Sequence, residues 1–335
     1  MPKYRKSCAK LIQLGLFALA FSPLTAHAAG PAGAKDKRPA GVKSGFITTT
    51  DGIKIHYLEA GHSKNAPIAE AGNPLPAGKI PTKGNISVTN PNQAPTVLFV
   101  PGWTMPAWIW DKQIEYLSKD FRVVAMDPRS QGESTQTPEG LYPAARARDI
   151  KAVVTQLHLA PVVLVGWSMA VNELLSYVDQ FGTADLAGLV LVDDDSGATT
   201  PAEAAGALEF IGQIQRDRHK VVSEFIPSMF FKKPQPPGYV DRVVQASLRV
   251  PDNTAVALLV GKFATDNRAV LPRIDKPTIV CAVKSPYMAG IIEMQKKIPQ
   301  SRLEVFEGDG HALFVDDADK FNALLEDFLG DLRFR

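Results

Sequence analysis

VVLVGWSMAVNELL, residues 162–175, carries an aliphatic run straight into a helical pattern, with one hydroxyl at the junction. Four aliphatic residues suited to a buried strand lead to Gly166, Trp167 and Ser168, and the residues from Met169 onward repeat apolar side chains at helical spacing. Gly166 and Ala170 flank the serine at two positions on either side. Small residues there let the chain reverse sharply without side-chain collision, which lifts the hydroxyl above a sheet at a helix N-terminus. A serine that merely caps the next helix is the plainer alternative. The small flanking residues at a strand-to-helix junction favour a nucleophile.

The surrounding pattern supplies the sheet. Apolar runs at 96–100, 122–126, 161–166, 186–192, 277–283 and 302–306 alternate with helical stretches near 107–118, 143–157, 169–180, 288–297 and 316–329. Continuous Val/Ile/Leu runs separated by helices predict a mostly parallel sheet with helices on both faces. Ahead of them, FITTTDGIKIHYLEAG around Asp51-Gly52 reads as a hairpin.

In such a sheet, chemistry sits just beyond the carboxyl ends of the strands. The run at 96–100 ends in Pro101-Gly102-Trp103, where a main-chain N–H can hold an oxyanion. After the last strand, VFEGDGHALFVDD places His311 in a Gly-rich loop, where a general base is required. No role is assigned to His56, His62, His158 or His219. LAGLVLVDDDSG, residues 186–197, ends a buried strand in Asp193, Asp194 and Asp195, which strand propensity does not ask for.

With LFVPGW, VVAMDPRSQGES, VGWSMA and EGDGHALFVDD in this order, the chain resembles the α/β-hydrolases over about residues 44–331. The resemblance implies Ser168 as nucleophile, His311 as base, and the main-chain amides of Trp103 and Met169 as the oxyanion hole. The chain departs from many relatives in having Pro101-Gly102 where they have His-Gly. It departs again after the run at 277–283, where relatives carry the triad's acid and this chain reads Lys284, Ser285, Pro286. Some branches of the fold place the acid one strand earlier, which points to Asp193. Asp195, on the same side if the strand continues, is the second choice, and an acid elsewhere the third. Asp316 and Asp317 are expected to cap the last helix.

Residues 196–274 carry helical pattern and little strand signal, so a helical cap is expected after the sixth strand, with the hydrolase core at 44–195 and 275–335. Met105, Trp108, Trp167 and Phe230 are the expected substrate-contacting residues, a wall suited to an apolar or aromatic group. The implied reaction is hydrolysis of a small carboxylic ester or lactone through an acyl-enzyme, with no metal or organic cofactor. A perhydrolase or haloperoxidase-like activity is the alternative within enzymes, and a non-catalytic ligand-binding protein on the same scaffold lies outside them. Dehalogenase and epoxide hydrolase chemistry would need an Asp at position 168.

The remaining features set the context. The net charge is +2 over 335 residues, and no basic cluster interleaved with aromatics suggests nucleic acid. Residues 1–28 have a basic start, an eleven-residue apolar run LIQLGLFALAF and TAHA before Ala29, the pattern of a cleaved export signal. That run is too short to span about 30 Å of hydrocarbon, so no stable membrane insertion is expected, and the protein is expected in the periplasm or outside the cell. Residues 29–43 read as a flexible tail and 62–94 as a surface insertion. Cys8 leaves with the leader, and Cys281 alone makes no internal disulfide.

Overall fold

The computed structural model describes residues 41–62, 94–197, 201–286 and 288–333. The leader, most of the tail and all but the ends of the 62–94 insertion lie outside them. An antiparallel pair, β1 (Lys43–Thr48) and β2 (Lys54–Ala60), turns over at 49–53, where the Thr49 amide donates to Ile53 O at 2.9 Å. β1 begins inside the stretch expected as tail.

Six further strands complete the sheet: β3 (Thr96–Val100), β4 (Val123–Met126), β5 (Val162–Trp167), β6 (Leu186–Val192), β7 (Thr278–Val283) and β8 (Ser301–Phe306). Their order is β1-β2-β4-β3-β5-β6-β7-β8, parallel from β4 to β8. The helices are α1 (Asp111–Leu117), α2 (Pro143–Gln156), α3 (Ala170–Phe181), α4 (Pro201–Phe225), α5 (Tyr239–Leu248), α6 (Asp252–Phe263), α7 (Met288–Lys297), α8 (Leu313–Asp316) and α9 (Ala318–Arg333). The α/β architecture expected from the alternating pattern is the one observed.

Why the central strands are apolar at every position is visible in their two-residue alternation. Val97, Phe99, Val163, Val165, Val190 and Val192 face one core with Ile114 of α1 and Phe321 of α9. Leu98, Val100, Leu164, Leu189 and Leu191 face the other with Ile150 of α2, Leu174 of α3 and Ile291 of α7. Each such side chain contributes about 1.5–3 kcal/mol by leaving water, so a strand covered on both faces has no position to spare for a polar residue. No helix among the described residues is long and apolar enough to cross a membrane.

Between β6 and β7 the chain is helical: α4, kinked at Asp217 (φ −160°), a π-helical turn at Ile226–Phe230, then α5 and α6. This segment is tied to the loop after β8 by main chain. The His311 and Ala312 amides donate to Met229 O and Phe230 O, each at 2.9 Å. So close an approach requires a glycine, because a Cβ on Gly310 would lie 2.3 Å from Phe230 O. Asp316 fastens the same contact, accepting from Gly310 N at 2.8 Å and Lys232 N at 2.7 Å, so its carboxylate clasps two loops and does not cap α9. Gly310→Ala is therefore expected to destabilise the fold by about 2 kcal/mol or more. Gly206→Ala, on an exposed face of α4 with nothing near its Cβ, should be neutral or stabilising by up to about 1 kcal/mol. Urea unfolding of the two variants checks the contrast.

Candidate active site

Ser168 stands between the end of β5 and the start of α3 with φ at 56°. For an L-residue that left-handed conformation costs about 1–2 kcal/mol, and neighbouring packing holds it in place. Its amide donates to Val192 O at 2.8 Å, and its carbonyl accepts from Val171 N at 2.8 Å. Gly102, from the loop after β3, presses against it: a Cβ there would lie 2.9 Å from Ser168 Cβ and 3.0 Å from Trp167 O. The main chain of 102–103 thus passes beside the serine. Among the described residues, the amides of Trp103 and Met169 meet no protein acceptor. Unengaged main-chain N–H groups beside a serine are the kind of donor that an oxyanion requires.

His311 Nδ1 lies 2.7 Å from Asp193 Oδ2, and Asp193 is nearly buried, with 5% of its side chain exposed. The other carboxylate oxygen accepts from Val283 N at 2.9 Å. Because a carboxylate can only accept, Nδ1 carries the proton and Nε2 is left as the basic nitrogen. Trp167, the residue before the serine, holds the same loop, its Nε1 donating to His311 O at 2.9 Å and its ring lying 5.2 Å from the imidazole. Phe230 packs 5.6 Å from the imidazole on another side.

The three aspartates separate because β6 ends at Val192 and Asp193 turns to φ 52°. Strand alternation, which would have paired Asp193 with Asp195, therefore does not extend past 192. Asp193 reaches His311, Asp194 pairs with Lys262 of α6 at 2.9 Å, and Asp195 accepts from Gly197 N at 2.8 Å. The end of β7, where the sequence holds no carboxylate, supplies the Val283 amide that steadies Asp193.

Of the expected substrate-contacting residues, Trp167 and Phe230 adjoin the imidazole; Trp167 and Met105 are fully buried and Phe230 nearly so. Trp108 lies 3.6 Å beneath the Arg242 guanidinium and lines a small cavity with His56, Asp127 and Arg249. Trp103 closes toward α6, its Nε1 donating to Ala255 O at 2.8 Å.

A buried polar chain braces the loop beside the serine. Gln131, fully buried, donates through Nε2 to Gly102 O at 3.0 Å and Met105 O at 2.7 Å, and accepts at Oε1 from Thr104 N at 3.2 Å and Arg146 Nη1 at 3.0 Å. Arg146 in turn pairs with Glu173, in the first turn of α3, at 2.8 Å, each side chain 1% exposed. Burial pushes the Glu173 carboxyl up to about 7 and holds Arg146 below its ordinary value, with their mutual attraction opposing both. Sequence reading missed these residues. The available signal was Arg146 standing among Ala147, Ile150 and Val153 on the apolar side of a helical stretch.

A second histidine–aspartate pair exists, and its histidine also meets a serine. His56 Nδ1 lies 2.7 Å from Asp127 and Nε2 lies 2.7 Å from Ser44 Oγ. Ser44, however, sits within the regular strand β1, and Asp127 also accepts from Ala107 N and Glu133 N. That arrangement fixes the DPRSQGES loop to the hairpin. Cys281 is fully buried on β7, and burial pushes its thiol well above the usual range, which leaves it inert.

A profile of the "Alpha/beta hydrolase family" matches residues 97–324. A putative non-heme chloroperoxidase from Synechocystis sp. is 27% identical over 255 residues, 70% of this chain and 90% of that protein. A pimeloyl-[acyl-carrier protein] methyl ester esterase from Neisseria meningitidis is 27% identical over 263 residues, 72% of this chain and 96% of that protein. Among solved structures, an esterase from Exiguobacterium antarcticum superposes with a TM-score of 0.70 at 23% identity, covering 85% of this chain and 98% of its own. Of the two serines, Ser168, held in the left-handed backbone region, is expected to react. Peptide mapping after fluorophosphonate treatment should place the adduct on Ser168, and an adduct on Ser44 would reverse the assignment.

Proposed function

Because the chain belongs to the alpha/beta hydrolase family, we propose that it is a serine hydrolase that cleaves a small carboxylic ester or lactone through an acyl-enzyme. The observation that carries this reading is the 2.7 Å hydrogen bond that His311 Nδ1 donates to Asp193 Oδ2. A base oriented in that way presents Nε2 for the serine's proton, and the carboxylate already beside Nδ1 stabilises the positive charge that appears as the imidazolium forms.

In the proposed cycle, Ser168 Oγ attacks the carbonyl carbon as His311 takes its proton. The Trp103 and Met169 amides stabilise the negative oxygen of the tetrahedral intermediate. His311 then returns the proton to the leaving alcohol. Water, deprotonated by the same Nε2, attacks the acyl-enzyme and releases the acid and free Ser168. The aromatic rings of Trp167 and Phe230 beside the imidazole support an apolar or aromatic group in the substrate. Resemblance to a protein described as a chloroperoxidase supports a second reading, in which hydrogen peroxide replaces water and a peracid leaves. Adding peroxide to the ester assay and measuring peracid separates the two.

Ser168→Ala should lose ester hydrolysis by several orders of magnitude with its unfolding midpoint nearly unchanged. Asp193→Asn should lower kcat by up to about 10⁴-fold with a smaller change in KM, since an amide favours the wrong imidazole tautomer. Asp194→Asn, which loses only the Lys262 pair, should keep kcat within a few-fold. A folded, active Ser168→Ala enzyme would end the proposal. The leader further supports export, and mass spectrometry of the exported protein should find its N-terminus near Ala29, with residues 1–28 removed.

A further inference from the structure

Gln131 uses its whole hydrogen-bonding capacity on one turn and one cation. Its two N–H bonds go to Gly102 O and Met105 O, and its oxygen receives Thr104 N and Arg146 Nη1. A primary amide has two donors and two acceptor lone pairs, so this side chain is saturated by four partners in a dry environment. Three of them belong to the four-residue turn 102–105, which is closed by Met105 N to Gly102 O at 3.2 Å and carries Thr104 at φ 59°. Trp103, whose amide meets no protein acceptor among the described residues, is the second residue of that turn.

The fourth partner leads to the other side of the serine. Arg146 pairs with Glu173, and Glu173 lies in the first turn of the helix whose N-terminal flank is Met169. One continuous, fully buried path therefore joins the turn that presents the Trp103 amide to the helix that presents the Met169 amide. The loop opens with Pro101-Gly102, and proline brings neither a side-chain hydrogen bond nor a main-chain donor.

We infer that Gln131 is a positioning residue for the reaction proposed above: through the 102–105 turn on one side and Arg146–Glu173 on the other, it sets the separation of the two oxyanion donors. The inference rests on the serine-hydrolase reading. Oxyanion donors act only within about 2.7–3.1 Å of the developing charge, and loss of one donor costs about 10²–10³-fold in kcat. A turn released from its brace keeps both amides but misplaces one, so the expected loss is about 10–100-fold.

The test uses the full-length protein with a p-nitrophenyl ester and with phenylboronic acid, whose serine adduct places a hydroxyl where the oxyanion forms. Gln131→Met keeps length and removes every polar contact. Gln131→Glu keeps an acceptor for Thr104 and Arg146 but loses both donors, and it remains informative where the methionine variant does not fold. Both variants should lower kcat by about 10–100-fold with KM within about threefold. Phenylboronic acid should weaken by the same factor as kcat/KM. A role in stability alone predicts a lower melting temperature with boronate affinity unchanged, and that result overturns the inference. So does a folded variant with wild-type kcat. A wild-type protein that neither turns over esters nor reacts with a fluorophosphonate would instead overturn the serine-hydrolase reading itself.

Discussion

At Ser168 an L-residue is held at φ 56°, and the surrounding elements meet at that strain. The conformation costs about 1–2 kcal/mol and persists only where neighbours over-determine the backbone. β6 supplies Val192 O to the serine amide, and α3 seats Leu174 so tightly against Gly166 that a Cβ there would lie 2.7 Å away. Gly102 brings the neighbouring loop into contact on the other side. Removing the side chains at 102 and 166 is what permits strand, helix and loop to converge on one hydroxyl. The glycines and the serine are therefore one device.

Much of this was legible in the sequence because it rests on local physics. Continuous aliphatic runs marked strands covered on both faces, and small residues around Ser168 marked the reversal. Asp193 was legible for a different reason: the loop after β7 holds no carboxylate, which left the end of β6 as the place for one. The supporting argument from alternation did not apply, since a strand ends where its backbone leaves the extended region, and Asp193 is the residue that leaves it. Three identical side chains in a row then acquire three environments from one change in φ.

What escaped the sequence is contact between distant segments. Gln131 touches residues 102–105 and 146, and Arg146 touches 173, pairings that no window of sequence displays. Arg146 also runs against expectation, since a guanidinium on the apolar side of a helix is rarely placed there without a buried counter-charge. Asp316 misled for the opposite reason. Its position just before a helix matches a capping residue, whereas its carboxylate is taken by amides from two other loops. Local grammar assigns a residue its commonest job, and tertiary contact reassigns it.

The main-chain bonds from His311 and Ala312 to Met229 and Phe230 bear on how such a chain is put together from parts. The helices between β6 and β7 look like a removable module, yet their π-helical turn shares hydrogen bonds with the loop carrying the histidine, and Gly310 is shaped to that turn. Grafting residues 201–273 from a relative would leave this loop docked on a foreign backbone. A functional exchange would have to carry 309–316 along with the helices, two segments far apart in sequence that are inherited as one unit.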